Sequence, residues 1–109
     1  MAARETVHEI EARTAVTVDV PPERGGELQA AVEDALDEVS FVRTAAVTSV
    51  NNVDSGNETL GVDVEADVTL HFEHPSDAEE VEAQLADTDP VTTVYHFQAH
   101  AGPYEIERW

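Results

Sequence analysis

The chain has 109 residues, 41% of them hydrophobic, which suits one domain with one modest core and excludes a disordered chain. It has no cysteine, which excludes disulfides and thiolate chemistry, and no apolar run approaches the roughly 18 residues of a membrane span. Twenty-four acidic residues face five basic residues, all arginine, and the formal net charge of −19 disfavours nucleic acid as a partner.

An alternating stretch predicts the first strand. In "EIEARTAVTVDV", residues 9–20, every even position is apolar or threonine, whereas most odd positions are charged or polar. This period of two is typical of a strand with one buried face. The segment "PPERGG" then breaks the chain, and apolar residues at helical spacing predict a helix over residues 27–39.

Two further strands are predicted as a hairpin. "FVRTAAVTSV" and "LGVDVEADVTLHF" flank the turn-forming segment "NNVDSGN". A turn centred on Ser55-Gly56 would set Ala66 against Ala45, apolar against apolar. The same register sets Val68 against Arg43, its one mismatch. At this position Arg43 could contact an anionic ligand, extend its guanidinium to solvent or pair with a carboxylate.

The rest of the chain predicts a second helix and a fourth strand. In "HPSDAEEVEAQLADTDP", Ser76 and Glu79 have the spacing of a capping box, which places the start of the helix there. The following "VTTVYHFQAH", residues 91–100, is rich in β-branched and aromatic residues and predicts a strand with Tyr95 towards the core. "AGP" is expected to end this strand and leave residues 102–109 as an extension.

A helix over residues 89–102 is the rival interpretation of this last segment. Proline-containing pairs on both sides could open and close such a helix. His96 and His100 would then stand four apart on one helix, which is a familiar spacing of metal ligands. The poor helix propensity of "VTTVY" and the need for a fourth strand favour the strand.

The element order β-α-β-β-α-β is that of the ferredoxin-like fold. This fold is an α+β two-layer sandwich, in which a four-stranded antiparallel sheet of strand order 4-1-3-2 carries both helices on one face. We expect a single domain over residues 1–109, with its core over about residues 5–101. The likeness is to a fold and implies no functional residues.

The topology predicts a cluster of histidines and carboxylates at one end of the sheet. His71 ends the third strand, and His96 and His100 lie late in the fourth, with Glu9 and Glu11 of the first strand between them. Since neighbouring strands lie about 4.8 Å apart, two imidazoles and a carboxylate could hold a divalent transition metal ion. A histidine beside carboxylates could instead act as a general base. Solvated or interface histidines are the alternative interpretation.

Several other chemistries lack the residues that they need. Without lysine there is no Walker-type lysine and no Schiff base, and no serine has the context of a nucleophile elbow. An RNA-recognition domain needs aromatic side chains on the open face of its first and third strands. Here that face carries Glu and Asp.

The composition resembles that of cytoplasmic proteins from salt-in haloarchaea, since it is acidic, free of lysine and rich in alanine, valine and threonine. Molar salt shortens the Debye length to about 3 Å and screens the self-repulsion of such a chain. "MAARETVHEIEAR" lacks the apolar segment of a secretory signal, so a cytoplasmic location is expected. An acidic protein made for a basic partner is the competing interpretation.

Two function classes follow from these observations. The first is a non-enzymatic binding or regulatory module that self-associates through its open sheet face or an edge strand, favoured because no catalytic motif is found. The second is a small metal-dependent or acid–base enzyme, or a metal binder, centred on His71, His96 and Glu11. We favour the first.

Overall fold

The computed structural model describes residues 5–21, 28–55, 58–73 and 77–108. The elements within these residues are β1 (Glu5–Val20), α1 (Leu28–Asp37), β2 (Val42–Ser55), β3 (Leu60–Phe72), α2 (Ala78–Ala86) and β4 (Val91–Arg108). Their order is the predicted one, and the segment after α2 is a strand, so the rival helix is wrong. No helix within the described ranges is long and apolar enough to cross a membrane.

The four strands form one antiparallel sheet in the order β2-β3-β1-β4, as predicted. β1 and β3 pair without a register shift from His8 opposite Phe72 to Val20 opposite Leu60. This regular pair is the centre of the sheet. β2 and β4 are its edges, and both carry irregularities.

The core forms on the even-numbered side of β1 and β3, as their alternation predicts. Every even-numbered residue from Ile10 to Val20 and from Val62 to Phe72 is buried. These side chains form one cluster with buried residues of both helices, namely Ala31, Val32, Leu36, Val81 and Leu85. Thr14 is 1% exposed, and its hydroxyl donates a hydrogen bond to the carbonyl of His96 at 2.6 Å. The buried hydroxyl therefore keeps a partner, which avoids the cost of an unsatisfied polar group.

The start of α2 differs by one residue from the sequence prediction. Asp77 is the N-cap, and its carboxylate accepts a hydrogen bond from the backbone N–H of Glu80 at 2.9 Å. The predicted capping residue, Ser76, lies outside the described residues. An aspartate caps a helix at least as well as a serine, because its carboxylate also interacts favourably with the helix dipole.

The predicted hairpin register is wrong, because β2 contains three bulges and the turn lies further along the chain. Ser55 pairs with Leu60, and the shifts leave one extra residue in β2 at each bulge: Arg43, Thr48 and Asn51. Ala45, and not Arg43, opposes Val68. The bulges therefore keep apolar residues opposite one another and remove Arg43 from the ladder.

β4 is longer and more irregular than predicted, with four register shifts against β1. "AGP" does not end the strand, which continues to Arg108. The extra residue at one shift is Tyr95, which reverses the expected alternation. Tyr95 is 64% exposed, whereas Val94 and Phe97 pack against the core. The prediction that Tyr95 faces the core is therefore wrong.

Gly102 allows β4 to pass close to β1. Its φ is +91°, and a Cβ built at this position would overlap the carbonyl oxygen of Glu9. Only glycine meets both requirements without strain. The continuation of β4 along the start of β1 therefore depends on this residue.

We expect Gly102→Ala to lower the free energy of unfolding by about 2 kcal/mol or more, because the new side chain adds backbone strain and a steric clash. Gly61→Ala is the matched control, since a Cβ there meets Thr17 at an ordinary 3.6 Å. That change should stay within about 0.5 kcal/mol. Urea unfolding in molar KCl measures both, and equal effects would contradict the account.

Candidate functional site

Glu9 and His71 meet on the open face, by which we mean the side of the sheet with the odd-numbered residues of β1 and β3. The two residues are direct neighbours in the β1–β3 register. The His71 Nε2 lies 2.8 Å from the Glu9 Oε1, and the side chains are 16% and 23% exposed respectively. Two of the five predicted site residues are therefore in contact.

The surroundings of His71 determine which ring nitrogen carries its proton. An ionised carboxylate only accepts hydrogen bonds, so Nε2 donates to Glu9. Nδ1 is buried and has no hydrogen-bond partner among the residues that the structure describes. A proton on Nδ1 would bury an unpaired donor, whereas the neutral ring leaves only a lone pair there. In the neutral form of the ring, this geometry therefore places the proton on Nε2.

The other three predicted site residues are dispersed along the open face. Glu11 and His100 line a hollow of about 340 Å³ beside Arg13 and Asp67. His96 lies opposite Ala15, six residues from Glu9 and so about 20 Å along β1. Among the described residues, no group of three or more His, Asp and Glu side chains is placed to hold a metal ion.

The bulges of β4 are the reason for this dispersal. Because the strand extends to Arg108, Tyr104 lies opposite Glu9, whereas His96 lies opposite Ala15 and His100 falls at a register shift. Of the remaining histidines, His8 pairs with Phe72, and His74 lies outside the described residues. The metal site stays a prediction, of which the structure places one histidine–carboxylate pair in contact.

Arg13 and Asp67 form an ion pair in the middle of the open face. The guanidinium Nε lies 3.0 Å from Asp67 Oδ1, and Nη2 lies 3.4 Å from Oδ2. The hydrogen bonds from Arg13 are the largest reason that the pKa of Asp67 lies below its usual value. Desolvation opposes them, and the charges of Arg13 and His100 lower the pKa further. The pair is exposed, so it is screened by salt and contributes little stability.

A pocket of about 560 Å³, the sheet-end pocket, lies where β2 begins and β3 ends. Its apolar lining residues are Val7, Phe41, Val42 and Phe72. Arg43, His71 and Glu73 supply charged or polar groups, and Ser40 and Gln84 complete the lining. His71, one of the predicted site residues, therefore lines a cavity with both apolar and polar residues.

Local backbone bonds assemble this pocket. The N–H of His71 donates to the carbonyl of Phe41 at 2.8 Å, which fixes the turn before β2 against the end of β3. The rings of Phe41 and Phe72 are stacked with their centroids 5.2 Å apart. The bulge at Arg43 follows directly. Sequence reasoning missed the two phenylalanines as site residues. The signals that pointed to this end of the sheet were the expected position of His71 and the mismatch at Arg43.

A chain of hydroxyl and carboxylate groups crosses the open face further along β1. The Thr17 Oγ1 lies 2.5 Å from the Asp63 Oδ1 and 3.1 Å from the hydroxyl oxygen of Tyr95. These contacts place the Tyr95 ring on the open face. Tyr104, which pairs with Glu9, is 50% exposed.

Comparison with known proteins adds no relative: no protein-family model, no curated protein and no solved structure matches the chain.

The carboxyl group of Asp67 should titrate below the usual range of an aspartate, as followed by carbon-13 NMR. Arg13→Gln should raise its pKa, because the hydrogen bonds from the guanidinium are lost. The pKa of Asp67 is lower in the folded protein than in the unfolded chain. The ion pair therefore contributes its small stabilisation in full above the unfolded pKa of Asp67, and this contribution is lost as the pH falls through the folded pKa. His100→Gln should cause a smaller rise. An unchanged titration in Arg13→Gln would contradict the assignment.

Proposed function

We propose that the protein is a binding module that takes a small molecule in the sheet-end pocket. The observation that carries the proposal is the pocket itself, in which the stacked rings of Phe41 and Phe72 lie beside Arg43 and His71. Ligand sites are typically cavities of roughly 300–1,000 Å³ that combine apolar walls with a few polar groups. A binding role requires only such a cavity, with no nucleophile or catalytic motif.

We also propose that the fold is ferredoxin-like, with both helices on the same face of the sheet. The element order and the strand order support this assignment. The presence of α1 and α2 residues in the same core cluster as the even-numbered side chains of β1 and β3 supports it as well. The open face would then be the free side of the sheet.

Binding of the fluorescent dye 1-anilinonaphthalene-8-sulfonate in molar KCl tests the ligand pocket. We expect saturable binding that Gln84→Trp weakens at least about tenfold, because the indole ring fills the cavity that Gln84 lines. Gln29→Trp, the same change at an exposed position of α1, is the matched control and should bind normally. Absence of saturable binding, or an equal effect of the two variants, would overturn the proposal.

Self-association of this module through the open face is our proposal for its assembly. Both edge strands are interrupted, by three shifts in β2 and four in β4, and bulges protect an edge from pairing with another strand. The open face instead presents the exposed rings of Tyr95 and Tyr104, and tyrosine is enriched in protein interfaces. A second copy of the chain is the occupant that we propose for this face.

Light scattering in molar KCl should therefore give the mass of a dimer. Replacing Tyr95 and Tyr104 together by serine should give a monomer, because most of the exposed apolar area on that face is removed. The matched control replaces Val50 and Val53, exposed at 40% and 38% on the edge strand β2, by serine and should stay dimeric. A monomeric unsubstituted protein would refute this mode of assembly.

A second candidate function is a His/carboxylate metal-binding or acid–base site. The contact between Glu9 and His71, together with the unpartnered Nδ1, favours it, because a neutral imidazole with a free lone pair can bind a metal or accept a proton. His96, His100 and Glu11 would have to approach this pair from their present positions. The acid–base role would use the same lone pair of His71.

Elemental analysis of protein purified in molar KCl without a tag or chelator tests this candidate. It predicts a stoichiometric transition metal that is lost in His71→Ala and reduced in Glu9→Gln. Thr69→Ala, on the next open-face position of β3, should retain the metal. Metal-free, folded protein, or metal retained in His71→Ala, would eliminate the metal centre.

The composition supports the further proposal of a cytoplasmic protein from a salt-in haloarchaeon. A net charge of −19 without a single lysine is tolerable where molar salt screens the repulsion between carboxylates.

A further inference from the structure

We propose that the ligand of the sheet-end pocket is a small organic anion, whose carboxylate, sulfonate or phosphate group is held by Arg43 and whose flat apolar part lies against the stacked rings of Phe41 and Phe72. This inference rests on the proposed binding function and specifies the chemical class of the ligand.

The bulge in β2 places Arg43 at the pocket. Val42 pairs with Leu70 and Thr44 with Thr69, so Arg43 has no partner residue in the ladder. A bulge frees a side chain from the alternation of its strand and directs it to a new position, and bulges are frequent beside functional sites. Arg43 lines the pocket as a result.

The Arg43 side chain has no ion pair or hydrogen bond with any residue that the structure describes. In contrast, the guanidinium of Arg13 is engaged by Asp67. The chain has twenty-four carboxylates for five arginines, so a carboxylate partner is easy to provide. An arginine that stays unpaired beside a cavity is therefore available to an anionic ligand, which a guanidinium binds through two parallel hydrogen bonds.

Two carboxylates, one in the pocket lining and one in contact with it, do not prevent this binding. Glu9 does not line the pocket, and its carboxylate is engaged by His71 at 2.8 Å. Glu73 also lines the pocket and is exposed. In molar salt the Debye length is about 3 Å, so the repulsion from Glu73 is screened, whereas a hydrogen-bonded contact with Arg43 persists.

The aromatic walls determine the shape of the apolar part. The rings of Phe41 and Phe72 lie within 25° of parallel and 5.2 Å apart. Phe41 is partly buried and Phe72 is 9% exposed, so only part of this ring pair borders the pocket. That part suits a planar body better than a branched chain, because aromatic rings pair in offset-stacked or edge-to-face arrangements. Arg43 would recognise the charge of the ligand and the two rings its flat shape, so the proposed ligand class is planar organic anions.

Two probes of the same shape separate charge from shape: naphthalene-1-sulfonate, an anion, and naphthalene-1-sulfonamide, which is neutral. Both are titrated into nitrogen-15-labelled protein in molar KCl, and amide shifts locate the site. We expect the sulfonate to bind at least about tenfold more tightly than the sulfonamide, with shifts centred on Phe41, Arg43 and Phe72.

Variants then assign this preference to one residue. Arg43→Gln should reduce the affinity for sulfonate to that for sulfonamide, and Arg43→Lys should give an intermediate value, since it keeps the charge but loses the paired hydrogen bonds. Arg13 is the other arginine whose side chain the structure describes. Arg13→Gln should leave the affinities for both probes unchanged. Circular dichroism confirms that the variants fold, as expected because Arg13 and Arg43 are exposed.

The outcomes distinguish this inference from the proposed function. Equal affinities for the two probes, or a sulfonate preference that survives in Arg43→Gln, would overturn the anion inference while leaving a ligand pocket in place. No binding of either probe together with no binding of the anilinonaphthalene dye would overturn both.

Discussion

The uninterrupted pairing of β1 with β3 is the constraint on which the rest of the structure depends. The two strands keep one register from His8–Phe72 to Val20–Leu60, and all their even-numbered side chains in that span, apart from His8 and Leu60, are buried. A shift by one residue would move this entire apolar set to the open face. The register is therefore strongly specified, and both helices contribute to the core that it creates.

The irregularities of the sheet lie in its edge strands, β2 and β4. Seven register shifts fall between the edges and the centre, three on β2 and four on β4, while the β1–β3 pair has none. These bulges blunt the edges against strand addition and move individual side chains away from their expected positions. Arg43 reaches the sheet-end pocket and Tyr95 reaches the open face in this way. These two features that point to function therefore lie at irregular positions of the sheet.

The candidate site illustrates the same difference between centre and edge. Glu9 and His71 lie on the two central strands, so alternation and topology alone place them side by side, and the structure has them in contact. His96 and His100 lie on β4, where each bulge shifts the register by one residue. The sequence predicted the correct face for His96 but not its position along the sheet, because four such shifts accumulate over the strand.

The sequence by itself determined the order of elements, the sheet order and the buried face of β1 and β3, because these follow from local periodicity and from burial of apolar side chains. Only the tertiary structure decided the register of the edges, the path of β4 past Gly102 and the assembly of Phe41, Phe72, Arg43 and His71 into one pocket. The physical reason is that a bulge is stabilised by contacts with distant residues. The pattern of apolar and polar residues within a strand therefore does not predict where its extra residue will lie.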